Sequence, residues 1–349
     1  MASQGFFRRA LPFFAAVLSA CGGNPAAVQI GPMPAQTSRV AMDNGSWMLA
    51  EAKNEDLLYV SDVYNGIIDV YVYGKSKQVG AIRGFDEPTG ECVDKRGDVW
   101  VTEYFGDQAF EFAHGDRKPL KVLTTNGNGE GCSIDPINGD LAIGNVNSTA
   151  SLHADIQVFH NGAGRPTNYY SGGGSSDCND IQAPGYDDRG NLYFEAYWGN
   201  SGLGMCELPA KAKALLEVPV SSPNALFRID HAGSTMWDGK YITFADYRND
   251  VTENSTIYRS VRSANALIVV GSTTLGASGT YCYANIAQPF VVGAKNTPLN
   301  RKQGTIVVGG NQGCDSLFGY WDYPAGGDPV NETYGPSQVG GASVSLVAK

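Results

Sequence analysis

Glu91, Glu130, Asp180 and Asn285 each stand near the start of an apolar run, and His231 precedes another. If these runs are strands converging on an axis, the four oxygen-bearing side chains ring its mouth. They could then hold Ca²⁺ or another hard divalent cation, and His231 could approach the same channel. A plainer role is to cap strand ends or bind channel water. A second set is aromatic. Tyr197-Trp198, followed by the glycine-rich GNSGLG (199–204), suits a platform for a sugar or peptide, although aromatic side chains also serve to pack one element on the next.

The sequence signatures of nucleophilic and metal-assisted hydrolysis are missing. No GxSxG, HExxH or P-loop occurs, and GASGT (276–280) departs from the first of these by one residue. DPINGD (135–140) lacks the spaced carboxylates that calcium needs and reads as a hairpin turn. The acids of DKRGD (94–98) and DDRGN (187–191) have the same explanation. His114 falls in a turn expected to be exposed, while His153 and His160 flank ADIQVF without metal-ligand spacing. The expectation is of no catalytic residue and no cofactor, a divalent cation at the mouth being the one alternative.

What would position these residues is a repeat. GECVDKRGDVWVTEY (90–104) has an apolar strand, an acidic turn with glycine, then a second apolar strand. The pattern returns in GCSIDPINGDLAIGN (131–145), APGYDDRGNLYFEAY (183–197) and GSTMWDGKYITFADY (233–247), and more loosely across 288–310. Turn glycines Gly97, Gly139, Gly190 and Gly239 are 42, 51 and 49 residues apart, the spacing of four-stranded propeller blades. Apolar runs such as Val99-Trp100-Val101 do not alternate with polar residues, as expected where both faces of a strand are covered. Amphipathic helices, which a parallel α/β sheet requires, are absent from the pattern. The expected fold is all-β: a propeller of six four-stranded antiparallel blades over residues 46–349. Its ring would be closed by the C-terminal strand, VGGASVSLVA (339–348), with SWMLAEA (46–52) competing for that slot.

Of 349 residues 44 are glycine, and the formal charge of −10 disfavours nucleic acid and anionic headgroups as partners. Residues 1–20 carry Arg8 and Arg9 before a short apolar run, as a signal peptide does. Leu18-Ser19-Ala20-Cys21 matches the bacterial lipobox, which makes Cys21 the expected lipidation site. Residues 21–45 then form a tether, and the protein would be membrane-anchored in the cell envelope, facing the periplasm or exterior. Six further cysteines suit disulfides in such a compartment. Their places in the repeat pair Cys178 with Cys206, Cys282 with Cys314 and Cys92 with Cys132, all on one face of the ring.

The repeats resemble NHL and SMP-30-like six-bladed propellers through the turn pattern Asp-x-x-Gly-Asp/Asn before an apolar strand. The chain also resembles an uncharacterised family of bacterial propeller lipoproteins in DLLYVSD (56–62), GDVWVTEY (97–104), WDGKY (237–241) and YPAGG (323–327). That resemblance implies a fold and no activity. SMP-30-like lactonases use an acid-and-asparagine site at the channel mouth, but their asparagine-glycine strand motif is missing here. The expected function is a non-catalytic binding or scaffold module for a protein or glycan. The rival is a metal-dependent lactonase or lyase.

Overall fold

The computed structural model describes residues 45–148, 154–171, 178–198, 203–224, 227, 229–249, 254–276, 284–293, 305–311 and 317–347. The leader, Cys21, the tether, Cys282 and Cys314 lie outside them. The described strands fall into six sheets. The first takes β1 (Trp47–Met48), β2 (Leu57–Asp62), β3 (Ile67–Val72), β4 (Gln78–Arg83) and, from the far end of the chain, β27 (Val339–Ser345). The second is β5 (Pro88–Val93), β6 (Val99–Glu103), β7 (Gln108–Phe112) and β8 (Pro119–Thr124). The third is β9 (Gly127–Ile134), β10 (Leu141–Ser148), β11 (Asp155–Phe159) and β12 (Thr167–Tyr170).

The fourth sheet contains β13 (Cys178–Asn179), β14 (Gly185–Tyr186), β15 (Leu192–Trp198), β16 (Leu203–Leu208) and β17 (Leu216–Val218). The fifth contains β18 (Val220–Ser221), β19 (Ala232–Trp237), β20 (Ile242–Asn249), β21 (Asn254–Arg262) and β22 (Leu267–Leu275). The sixth is β23 (Ala284–Gly293), β24 (Thr305–Asn311), β25 (Leu317–Asp322) and β26 (Asn331–Tyr334).

The expectation of uniform four-stranded antiparallel blades is corrected. Three sheets have five strands, and β18 joins β22 in parallel. SWMLAEA does not become an innermost strand. Trp47 and Met48 pair with Ala81 and Gly80 at the outer edge of the first sheet, and a short 3₁₀ turn follows at Ala50–Asn54. The innermost position of that sheet is taken by β27, antiparallel to β2.

Alternation within the apolar runs explains the packing. Side chains of a strand point to opposite faces in turn. Leu57 and Tyr59 therefore join Val99, Val101, Phe110 and Phe112 of the second sheet, while Leu58 and Val60 join Phe318 and Tyr320 of the sixth. Similar clusters fill the other interfaces: Trp100 with Leu141 and Phe159, Ile156 with Phe194, Tyr193 with Phe244, Ala245 with Trp321. Each fully buried side chain of this size contributes roughly 1.5–3 kcal/mol. Innermost strands approach closely enough that glycine is required. A Cβ on Gly90 of β5 would meet the Cα of Gly131 of β9 at 2.5 Å.

The turns between the first two strands of a sheet follow one plan. Asp94 Oδ1 accepts from the amides of Arg96 and Asp98 at 2.8 and 3.0 Å, and Asp187 Oδ1 from those of Arg189 and Asn191 at 2.9 and 2.8 Å. Gly97, Gly139, Gly190 and Gly239 close these turns with φ between +79° and +93°, a region that favours glycine.

Two disulfides are present. Cys92–Cys132 joins β5 to β9 with Cα atoms 5.6 Å apart, and Cys178–Cys206 joins β13 to β16 at 6.3 Å. Cys206 lies within its third strand rather than beside a loop. The idea that the cysteines line one face of the ring is corrected too, since all four are buried in the packing between sheets.

Phe112→Ala is expected to cost about 3–5 kcal/mol in urea unfolding by emptying the interface between the first two sheets. The exposed Tyr64→Ala is expected to stay within about 0.5 kcal/mol of wild type.

Candidate functional site

The loops that lead into the innermost strands share one face, called here the mouth face. The acidic hairpin turns occupy the opposite, turn face. The last acid of a second strand repeatedly secures a chain segment on the mouth side. Glu103 Oε1 accepts from Asp86 N at 2.8 Å, at the approach to β5. Asp246 takes the amides of Asp230 and His231 at 3.2 and 3.1 Å, at the approach to β19. Asp62 accepts from the Ser337 hydroxyl before β27, and Glu195 Oε2 accepts from Gly233 N at 3.1 Å across the sheet boundary. These buried carboxyls organise backbone. The signal for them was legible as an acid ending an apolar strand (VSD, VTE, FAD), although the sequence reading gave those residues no role.

The mouth brings some of the expected residues together. Glu130 of β9 and Asp180, which follows β13, interact electrostatically, and Tyr104 after β6 feels both charges. Burial pushes the Glu130 carboxyl up to about 8, with the charge of Asp180 adding to the rise. Burial also raises Asp180, opposed by a hydrogen bond from Gln182 Nε2 at 3.3 Å. The phenol of Tyr104 is raised by burial first, then by Glu130, Asp180 and Glu87, while a hydrogen bond with Asn128 opposes. Asp180 sits at φ +52°, where the innermost strand of the fourth sheet breaks into β13 and β14. Two other mouth-face acids, Glu87 and Asp107, share left-handed backbone at φ +55° and +50°. Of this pair, Glu130 can exchange a proton near neutral pH. Two side chains alone do not build a cation's coordination shell.

Glu91 belongs to a different neighbourhood. It is completely buried in β5 and accepts a hydrogen bond from the Ser61 hydroxyl, against the backbone of Gly341. Burial pushes its carboxyl from 4.5 up to about 8, with the Ser61 hydrogen bond pulling the other way. His231 is held by its backbone amide at the head of β19. Asn285 pairs with Gly310 in the backbone ladder of β23 and β24, and its side chain is not among the described ones. Tyr197 pairs with Asn179 near the end of β15 and is 38% exposed, whereas the Trp198 side chain lies outside the description.

Asp94, Asp98 and Glu111, on the turn face, offer carboxylate oxygens within 4.8 Å of one another, close enough in principle to coordinate a divalent cation. The sequence reading placed a cation at the opposite mouth and gave these acids only turn roles. The structure supplies a counter-cation of its own. One Arg96 guanidinium nitrogen lies 2.9 Å from Asp94 and Asp98 and 3.0 Å from Glu111, and Lys121 reaches Glu111 at 2.8 Å. A groove of about 460 Å³ runs beside this cluster, lined also by Trp100, Ile134 and Asn138.

A Ser-His contact is also present. His114 is half-buried rather than exposed, with Nδ1 2.6 Å from Ser345 Oγ and Nε2 3.1 Å from the Glu55 carbonyl. Ser345 is completely buried and bonds the Gly97 carbonyl, so its hydroxyl cannot meet a substrate. The trio ties β27 to the second sheet.

No family model matches the chain, and no curated protein does. Among solved structures it is similar to a protein of unknown function from Bacteroides caccae, with a TM-score of 0.56 and 10% identity over 83% of this chain and 99% of that one. It is also similar to the β-propeller domain of Cps50 (Swd1) from Myceliophteria thermophila, with a TM-score of 0.50 and 11% identity over 83% and 86%. These likenesses support a β-propeller fold and carry nothing further. The attribution to NHL/SMP-30-like propellers, and to a propeller lipoprotein family, is corrected, because neither comparison of sequences returns such a relative.

Glu91 makes a pH prediction. Its folded pKa lies above its unfolded one, so its contribution is intact below about pH 4.5 and is lost as pH rises through 8. Relative to Glu91→Gln, wild type should lose on the order of 3 kcal/mol between pH 5 and pH 8 in urea unfolding. A difference between the two proteins that stays constant across this range would contradict the assignment.

Proposed function

We propose that the chain is a non-catalytic binding module that holds a partner protein on its mouth face, outside the cytoplasm. One observation carries this reading. Tyr64, Phe105 and Tyr197 are 74%, 57% and 38% exposed, and each stands two residues after a second-strand acid: Asp62, Glu103 or Glu195. The acid turns inward to hold backbone, and the aromatic residue is left on the surface. Exposed aromatic groups repeated on one face of a propeller are better explained by a partner than by the core, which is filled without them.

The two buried disulfides favour an oxidising compartment over the cytoplasm. The acidic balance of the chain speaks against nucleic acid. A bound divalent cation has less support. At Asp94, Asp98 and Glu111 it would have to displace Arg96, and of the mouth residues expected to hold a cation, Glu130 and Asp180 are the two brought together among the described side chains.

A photoreactive phenylalanine analogue replacing Tyr64 or Phe105 is expected to cross-link a protein in intact cells, while the same group replacing Lys95 or Lys240 is not. Cross-links arising only from the turn-face positions, or a glycan as the captured species, would contradict the reading.

A further inference from the structure

The interface between the second and third sheets changes character along its length. At its turn-face end, Leu141 of β10 lies opposite Phe159 of β11, and both pack with Trp100 and Leu123. The same face of the third sheet continues toward the mouth two residues at a time, through Ile143 opposite Gln157 and then Asn145 opposite Asp155. Asn145 and Asp155 are completely buried, and so in effect are Gln157 and Thr125, the latter two residues beyond Leu123. These groups form one network. Asn145 Nδ2 donates to Asp155 Oδ1 at 2.7 Å and to Gln157 Oε1 at 3.3 Å, and Gln157 Oε1 also accepts from Asn126 N at 3.2 Å. The network leaves oxygens over. Thr125 Oγ1, Asn145 Oδ1 and Asp155 Oδ2 are sealed from solvent and make no hydrogen bond. Burial pushes the Asp155 carboxyl up to about 6, opposed by hydrogen bonds with Asn145 and Asn126, so it is still largely ionised at pH 7.5. No basic side chain pairs with it among the described residues. Buried Glu111 of β7, by contrast, has both Arg96 and Lys121. A buried acceptor without a donor is costly, and a buried charge without a counter-charge more so.

We propose that this polar end of the interface holds a calcium ion between the second and third sheets, with Thr125 Oγ1, Asn145 Oδ1 and Asp155 Oδ2 as its side-chain ligands. Hydroxyl, amide and carboxylate oxygens are the hard ligands that calcium takes in flexible geometry. Magnesium demands a smaller, near-octahedral shell, and zinc prefers histidine or cysteine. Calcium takes about six to eight oxygens, so main-chain carbonyls or water complete the shell. With a single carboxylate the dissociation constant should be on the order of 10⁻⁴–10⁻³ M, as in extracellular calcium modules. The ion joins the Thr125–Asn126 loop to β10 and β11, much as the Cys92–Cys132 disulfide joins β5 to β9. The site uses neither Glu130 and Asp180 nor the Asp94, Asp98 and Glu111 cluster, and it does not depend on what the mouth face binds.

The test uses the purified full chain, stripped of metal with EDTA and returned to chelator-free buffer at pH 7.5. Titration calorimetry with calcium chloride should show one ion bound per chain. Calcium at about ten times its Kd should raise the melting temperature by about 2 °C, and magnesium at the same concentration should not. The near-isosteric variants Asp155→Asn and Thr125→Val should each bind calcium roughly tenfold or more weakly and lose the calcium-dependent shift, with urea unfolding in EDTA verifying that they fold. Asn145→Asp, which adds a second carboxylate, should bind calcium roughly tenfold more tightly and become less stable than wild type without it. That gain keeps the proposal testable if either of the other variants fails to fold. A wild-type chain that binds no calcium, its orphan oxygens being served by water alone, would overturn the proposal. So would an equal response to magnesium, undiminished binding by folded Asp155→Asn, weaker binding by Asn145→Asp, or binding lost in Asp94→Asn or Glu130→Gln instead.

Discussion

Every described sheet in this protein that has a neighbour must hide apolar side chains on both of its faces. A strand with Leu57 and Tyr59 on one side and Leu58 and Val60 on the other cannot be stable as a single layer or at a solvent-facing surface. It needs a second sheet on one side and a third on the other, and each of those has the same need. Successive sheets supply it, with the chain's last strand, β27, lying against β2 of the first sheet. The close backbone approach at Gly90 and Gly131 follows from the same demand near the axis, as does the disulfide between Cys92 and Cys132 beside it.

That constraint also decides where function can sit. Residues inside the sheets are committed to packing, and several of the polar ones are committed to holding backbone: Glu103 at the approach to β5, Asp246 at the approach to β19, Ser345 with His114 against β27. Buried carboxyls such as Glu91 carry perturbed titration without being open to a ligand. Perturbed groups mark functional sites only when a ligand can reach them, and Glu130 with Asp180 at the mouth meets that condition better than Glu91. What is left for recognition is the loops, whose side chains the core does not need. The aromatic residues and the acids of the mouth face are of this kind.

Much of the architecture was legible because it repeats. The turn acids and glycines of 94–98, 135–139 and 187–191 announce tight hairpins, and the non-alternating apolar runs announce strands covered on both faces. The extra edge strands were not legible: Trp47–Met48 and Val220–Ser221 are too short to show a period, and their pairing depends on which sheet edge happens to be near. The site was harder still. Equivalence of place suggested that Glu91 and Glu130 do the same thing, but a register shift at Gly144 and Asn145 alters the pairing of β9. Glu130 lies by the mouth, while Glu91 is sealed between sheets. His114 looked exposed because turns usually are, but Ser345 of β27 and the Glu55 carbonyl, both remote in sequence, close over it. The spacing of Tyr64, Phe105 and Tyr197 behind second-strand acids was present in the sequence and gains meaning once those acids are seen turned inward.

Two-sided burial makes the sheets one cooperative body, and amide hydrogen exchange under native conditions measures this directly. Amides of the second strands β2, β6, β10, β15 and β20 should exchange only through global unfolding, with free energies within about 1 kcal/mol of one another. A sheet whose second strand opens by itself, several kcal/mol below the rest, would contradict the claim that each sheet depends on both its neighbours.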